Sequence, residues 1–448
     1  MDSASAANSW KIFDEVKPDL KPKEVMEEAN RCLFCFDAPC MKACPTHIDV
    51  PSFIKKITTG NMKGSARVIM DANPVAATCA RVCPTEELCE GACVLNDASL
   101  PIMIGDLQRH TMNWAMKNNP QLFEAGEPNG KKVAVIGGGP AGLSAARELA
   151  RFGYQVTIFE KKEKAGGLDT FGIVPFRLPQ HVALWEVEQV KKLGVTIQTN
   201  TEVGVDVSIQ SILDDYDAVL LAIGMADVPP IGIPGEDLDG VLDAIQLIER
   251  VKDGHVTERF VGKKAVVIGA GNTAIDAATC LKRLGADRVQ ILYRRSEEEM
   301  TAYPFEFSFA KEEGIEFRWQ TQPKAIEGDS DGKVASVVCA PMMLGEKDAS
   351  GRRRPIEIDN APFTIDTDVV VKAIGQTRYL PLIEAFGLAH AHGVVTVDPL
   401  TYQTSNPKVF AAGDVIFGSG KGEAMVVAAA EQGKKTAQAI HEQQLSKI

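Results

Sequence analysis

The run Val133-Ala134-Val135-Ile136-Gly137-Gly138-Gly139-Pro140-Ala141-Gly142 decides the fold of this 448-residue chain. Its four leading apolar residues form a short buried strand, the pattern of a strand covered on both faces. Gly137, Gly139 and Gly142 follow at G-x-G-x-x-G spacing, at the mouth of a helix expected over Leu143–Phe152. A second strand, Val156–Phe159, ends on Glu160, 23 residues beyond Gly137. The first glycine permits the tight turn, and the second lets the backbone approach a pyrophosphate. The third allows close helix–strand packing, while the helix N-terminus faces the anion. Glu160 stands where an acid accepts hydrogen bonds from a ribose. A glycine triplet alone is weak evidence; strand, helix and acid in register make a nucleotide site.

The pattern returns about 130 residues later. Ala265-Val266-Val267-Ile268 leads into Gly269-Ala270-Gly271-Asn272-Thr273-Ala274, a helix to Leu284 and a strand at Val289–Tyr293. Alanine holds the third position, and Arg294-Arg295 replaces the acid. A guanidinium there suits a 2′-phosphate that a carboxylate would repel, so this repeat is expected to take NADP(H), with NAD(H) possible. The plainer reading makes the arginines a solvated pair balancing Glu297-Glu298-Glu299. The similar pieces Ala218–Gly224 and Val369–Gly375 close the two halves. Near the end, Val409–Ala412 runs into Gly413-Asp414, a strand ending from which an acid can reach a flavin's ribityl chain.

Eight of ten cysteines lie outside these repeats, in two groups. They are Cys32-x2-Cys35-x4-Cys40-x3-Cys44-Pro45 and Cys79-x3-Cys83-Pro84-x4-Cys89-x3-Cys93. The spacing reads as 4Fe–4S ligation, in which the cysteine before proline can serve the other cluster of a pair. Disulfides are the first rival. The chain opens with no cleavable apolar segment, so a cytoplasmic setting that keeps thiols reduced is expected. Zinc is the second rival, since C-x2-C also suits a tetrahedral ion.

Composition bounds the rest. The 45% hydrophobic and 24% charged content is that of an ordinary globular protein. A net charge of −12 argues against a nucleic-acid groove. No apolar run approaches the roughly 20 residues needed to cross a bilayer. The region around the cysteines shows helical stretches such as Lys23–Asn30 and Val50–Met70, with a turn at Asn61–Lys63 and no strand-like alternation. Asn118–Gly130 is polar and turn-rich, and reads as a linker.

Taken together, the two glycine repeats, the Ala-Ile-Gly strand ends and Ala-Ala-Gly-Asp resemble the two-dinucleotide-binding flavoprotein reductases. With the cysteine-rich segment added, residues 22–442 resemble the flavin subunit of NAD(P)-dependent dihydropyrimidine dehydrogenase and its relative, the glutamate synthase small subunit. The resemblance implies an α/β chain in four segments. A helical double 4Fe–4S domain (1–128) precedes an FAD domain split into 129–242 and 378–448, with an NADP domain (243–377) inserted.

It also implies a ligand for each site. FAD would lie at Gly137, Gly139, Pro140, Ala141, Gly142, Glu160, Gly167, Leu168, Arg177, Gly413 and Asp414. NADP(H) would lie at Gly269, Gly271, Asn272, Thr273, Ala274, Arg294 and Arg295. One cluster would take Cys32, Cys35, Cys40 and Cys93; the other Cys44, Cys83, Cys89 and Gln108, leaving Cys79 free. Spacing alone suggests eight cysteine ligands. Ile104–Gln108 leans toward the pyrimidine enzymes, because glutamate synthase tends to carry a glutamate there. Thr301 departs from pyrimidine enzymes that add a further basic residue near that place.

The expected chemistry is hydride transfer from nicotinamide to flavin, with reacting atoms roughly 3–3.5 Å apart, and onward passage of single electrons to the clusters. The flavin half has no C-x-x-C for a thioredoxin-reductase route, and His47, His110, His181, His255, His390, His392 and His441 show no catalytic or zinc spacing. Three domains account for the length, so the final substrate is expected on a partner, an FMN/iron–sulfur catalytic subunit of dihydropyrimidine dehydrogenase. The alternatives are the large subunit of glutamate synthase or a bifurcating transhydrogenase, and, outside enzymes, a redox-sensing scaffold.

Overall fold

A computed structural model describes residues 11–254, 260–348, 351–359, 361–418 and 424–446. Its contacts divide the chain into two compact units. One holds the described residues of Glu15–Thr170, Arg177–Met225 and Arg378–Ile448, and the other Phe171–Phe176, Ala226–Thr377 and the described residues before Glu15.

The first unit opens with helices alone. Pro22–Arg31, Val50–Thr58, Met62–Ala72, Ala76–Val82 and Ile104–Asn118 are the principal ones, and the first strand among the described residues starts at Lys132. The break expected at Asn61–Lys63 is a helix start, where the Asn61 side chain accepts from Gly64 N at 2.9 Å. Asp49 caps the preceding helix through Ser52 N at 3.0 Å. Phe53, Ile54, Ile69, Leu107 and Met112 are buried along these helices, the spacing of amphipathic faces turned to a shared core.

The stretch read as a linker is instead bound to the sheet domain. Gly126 N donates to Ala150 O and Asn129 N to Gly153 O, both at 3.0 Å. The Phe123 ring faces the guanidinium groups of Arg147 and Arg151, 5.2 and 4.9 Å from its centroid.

A five-stranded parallel sheet follows. Its order is Val409–Ala411, Ala218–Leu221, Lys132–Ile136, Gln155–Phe159, Thr196–Gln198. Val133 and Val135 pack on one face with Leu149 and Ala145, while Ala134 and Ile136 pack on the other with Val219 and Leu221. Both faces are covered, which is why the opening run shows no polar alternation. The edge strand Val409–Ala411 arrives after the whole of the second unit, so this sheet is discontinuous in sequence.

The second unit repeats the scheme. Its parallel sheet runs Val241–Asp243, Val369–Lys372, Lys264–Ile268, Arg288–Leu292, Glu316–Arg318. A four-stranded antiparallel sheet stands beside it, built on the 14-residue strand Val334–Lys347. The sequence reading had not singled out that sheet. The chain enters this unit near Ala226 and leaves near Thr377 through paired extended segments, with Ala226 N bonded to Thr377 O at 2.9 Å.

Candidate functional site

The first glycine loop separates its three roles by geometry. Gly137 adopts φ +101°, and a Cβ there would stand 2.4 Å from Ala222 O. A Cβ on Gly142 would stand 2.0 Å from Gly137 O. A Cβ on Gly139 would meet only the Gly167 Cα, at 3.8 Å, so the space above it is open. That opening lies at the start of the helix Pro140–Arg151 and has the room and the backbone amides that a pyrophosphate needs. Buried Glu160 accepts from Gly138 N at 2.9 Å and from Lys162 N at 2.9 Å. It ties the end of the second strand to the loop. Gly166 N donates to Gly138 O at 2.7 Å, which brings the Gly166-Gly167-Leu168 turn beside the loop. Arg177 is half-buried.

Gly413 and Asp414 belong to the same unit. Gly413 takes φ +82°, and its N–H donates to Gln432 Oε1 at 2.8 Å. Burial pushes the Asp414 carboxyl up, and the Arg378 guanidinium acts against that rise. Gln432, Gly433 and Arg378 escaped the sequence reading. A Cβ on Gly433 would lie 2.1 Å from Ala141 O, so the C-terminal helix Val426–Leu445 passes directly over the glycine loop's helix. No local motif marks that contact. Glycine inside a helix, which costs about 1 kcal/mol against alanine, was the available signal.

In the second unit, Gly269 (φ +123°) would place a Cβ 2.2 Å from Ala373 O. At Gly271 a Cβ would meet only Thr301 Oγ1, at 3.3 Å, which again leaves room for a phosphate. Buried Ala274 occupies the third position, and Asn272 Oδ1 accepts from Tyr303 N at 3.1 Å. Thr273 lies in the first turn of this helix. The two arginines differ. Arg295 is buried, with its guanidinium on Asp348 at 3.0 Å and on Arg353 O at 2.8 Å. Arg294 is exposed and forms no hydrogen bond or ion pair among the described residues.

The cysteines sort across the two sequence groups. Cys32, Cys35, Cys40 and Cys93 line one pocket, with apolar walls from Val50, Ile54 and Ile102. Burial pushes the Cys40 thiol up to about 11, helped by the charges of Cys32 and Cys93. Cys32 is raised by burial and by Cys35 and Cys93. Burial also raises Cys89, with Glu90, Cys83 and Cys44 adding to it. So Cys44 stands with Cys83 and Cys89, while Cys93 stands with the first group. Cys32, Cys44 and Cys83 each sit at a helix C-terminus, and prolines after the latter two stop the helices there.

Gln108 is buried, and its Nε2 donates to Ala76 O at 2.8 Å. With the amide nitrogen so held, Oε1 is the atom left for a ligand. Cys79 is buried beside Val75, Val427 and Ala430. Among the described residues no three His, Cys, Asp or Glu side chains converge to hold a single ion. The first four thiols surround a space instead, which suits a polynuclear cluster.

Other polar and thiol side chains have ordinary roles. His441 stacks on Phe152 at 4.3 Å, and His390 Nδ1 accepts from Gly393 N at 3.2 Å. His255 lies outside the described residues. Lys372 pairs with Glu236 at 3.6 Å, and Cys280 and Cys339 are buried within a helix and a strand. No helix among the described residues is long and apolar enough to cross a membrane.

Residues 131–433 match the family described as pyridine nucleotide-disulphide oxidoreductase, and residues 9–120 match dihydropyrimidine dehydrogenase domain II, 4Fe-4S cluster. The chain is 37% identical, over 90% of its length, to the NADP(+)-dependent formate dehydrogenase subunit beta of Moorella thermoacetica, and spans 59% of that protein. It is 36% identical to the glutamate synthase [NADPH] small chain of Escherichia coli, covering 96% of this chain and 93% of the other. It is 35% identical to the NAD-dependent dihydropyrimidine dehydrogenase subunit PreT of Salmonella typhimurium, covering 96% of each. Among solved structures, Mycobacterium tuberculosis FprA in complex with NADPH aligns with TM-score 0.58 at 20% identity, over 71% of this chain and 85% of that one, a likeness of fold. Two glycine cradles on twin parallel sheets, behind a cysteine-lined helical segment, agree with these matches: the chain belongs to the pyridine nucleotide-disulphide oxidoreductase family, as an oxidoreductase whose cofactors are FAD, a nicotinamide nucleotide and 4Fe–4S iron.

Proposed function

We propose that this chain is the NADPH-oxidising subunit of a hetero-oligomeric dihydropyrimidine dehydrogenase, passing electrons through flavin and two 4Fe–4S clusters to a partner that reduces uracil or thymine. The observation that carries the reading is the exchange of Cys44 and Cys93 between the cysteine groups, together with buried Gln108 anchored to Ala76 O. When bound, the flavin supplies conversion between two-electron hydride chemistry and the one-electron chemistry of iron.

The chain's own residues bind and orient. Gly139 and Gly271 leave their cradles open for pyrophosphates, and Glu160, fixed by Gly138 N, takes the ribose of FAD. Arg294 meets the 2′-phosphate, while Arg295 holds the loop that presents it. Cys32, Cys35, Cys40 and Cys93 hold one cluster, and Cys44, Cys83, Cys89 and Gln108 the other. The flavin-binding part, 129–242 and 378–448, contains no cysteine, and Cys280 and Cys339 of the inserted part stand far apart in sequence, which speaks against dithiol exchange within the chain.

The second reading is the small subunit of glutamate synthase, favoured by the relative of that name over nearly its whole length. Co-purification under anaerobic conditions separates the two. An FMN-binding partner with NADPH-dependent uracil reduction supports the first; a glutamine amidotransferase partner with glutamate formation abandons it for the second.

A further inference from the structure

The segment that carries Cys79 and Cys83 is held at both ends by charged side chains from the flavin-binding part of the same unit. Glu186, on the helix Gln180–Lys191, is 1% exposed. Its Oε1 accepts from Ala77 N at 2.7 Å and Thr78 N at 3.1 Å, and its Oε2 from Thr78 Oγ1 at 2.6 Å. At the other end, the helix Met62–Ala72 finishes with carbonyls that accept cations. Arg147 donates to Met70 O and, at 2.8 Å, to Asp71 O, and Lys434 donates to Ala72 O at 2.6 Å. Carboxyl oxygens thus meet the amides that open one helix, and positive charge meets the carbonyls that close the previous one, the latter matching the helix dipole. Between them Val427 and Ala430 pack on Val75 and Cys79.

Two of the three helices that supply these groups also build the flavin loop, and the third, Gln180–Lys191, shares their core through Val187 and Val190, which cluster with Leu143 and Leu149. Arg147 belongs to the helix that begins at Pro140, and Lys434 to the helix that supplies Gln432 to Gly413 and Gly433 to Ala141. An apolar contact would join the two parts at less cost than a buried carboxylate, whose use lies in fixing one register. Of these three charged groups, Glu186 is the one that bonds the helix Ala76–Val82, at Ala77 and Thr78, the latter one residue from Cys79 and five from Cys83.

We propose that Glu186 is a positioning residue for electron transfer, setting the place of Cys83 and its cluster relative to the flavin loop. This rests on the reading of Cys83 as a cluster ligand. Electron transfer between fixed centres falls steeply with distance, so a loosened helix slows that step and leaves flavin reduction alone.

The test uses the full-length protein purified anaerobically, with iron and sulfide counted first. Rapid mixing with NADPH then follows flavin bleaching and cluster reduction separately, and electron paramagnetic resonance records the reduced clusters. In Glu186→Ala, flavin reduction stays at the wild-type rate, cluster reduction slows several-fold and the resonance changes. Glu186→Gln, which can keep all three hydrogen bonds without charge, stays within about twofold of wild type. Cluster reduction at the wild-type rate in Glu186→Ala overturns the proposal, as does equal slowing in Glu186→Gln, which would make charge the cause. Should Glu186→Ala lose iron or fail to fold, Thr78→Val, which removes one of the three hydrogen bonds, decides: slower cluster reduction at an unchanged flavin rate supports the proposal, and no slowing overturns it. Iron-free wild-type protein would sink the cluster reading beneath it instead.

Discussion

At the scale of single residues, Gly139 and Gly142 look alike in sequence and differ in space. A Cβ at Gly142 collides with Gly137 O, whereas one at Gly139 enters only the open cradle, on an extended backbone with φ −78°. Gly142→Ala should therefore destabilise the fold by about 1–3 kcal/mol, the usual cost of overpacking. Gly139→Ala should keep its unfolding midpoint and lose FAD affinity; flavin titration beside thermal unfolding checks both. The arginine pair divides likewise. Arg294→Ala should raise the KM for NADPH by about tenfold or more without lowering stability, since it removes only a charge-assisted contact with a 2′-phosphate. Arg295→Ala should lower stability by about 2 kcal/mol by breaking its bonds to Asp348 and Arg353 O. The sequence showed both arginines at the right strand end. It could not show that Asp348, more than fifty residues away, had already engaged one of them.

At the scale of elements, the helix Gln180–Lys191 carries a titration that reaches the cluster segment. Burial raises the Glu186 carboxyl from 4.5 to about 7, against the opposing hydrogen bonds from Thr78 and Ala77. Below pH 4.5 the group is protonated in both folded and unfolded chains. Between 4.5 and about 7 the unfolded chain releases the proton while the folded chain keeps it, so stability falls as pH rises and levels off above 7. The loss amounts to about 3 kcal/mol across that window. Glu186→Gln should lack it, so the variant should gain stability relative to wild type from pH 4.5 to 8 in denaturant unfolding. A constant difference would refute the shifted carboxyl. No periodicity pointed to this residue, because its partners lie over 100 residues earlier in the chain.

At the scale of the whole molecule, the cysteine groups exchange members. Cys93→Ser should abolish the same iron signal as Cys32→Ser, and Cys44→Ser should spare it while removing the signal that depends on Cys83 and Cys89. Each substitution should cost about half the iron, and paired metal analysis and resonance spectra on the three variants would reveal the opposite grouping. The two parallel sheets share the order of four strands and differ at the edge: Val409–Ala411 comes last in the chain and follows Ala226–Thr377, whereas Val241–Asp243 comes first in its sheet.

Strands, glycine turns and the acid at Glu160 were legible because each depends on neighbours within one βαβ unit, where sterics and hydrophobic periodicity act locally. The cysteine spacing likewise announced iron chemistry, since the ligand types lie within short runs. Tertiary structure alone decided that Arg295 is a buried strut, that the supposed linker is pinned beside Phe123, and that Gln432, Gly433 and Glu186 serve the flavin and cluster segments. These roles arise from contacts between segments tens to hundreds of residues apart, whose complementarity exists only once the two faces meet.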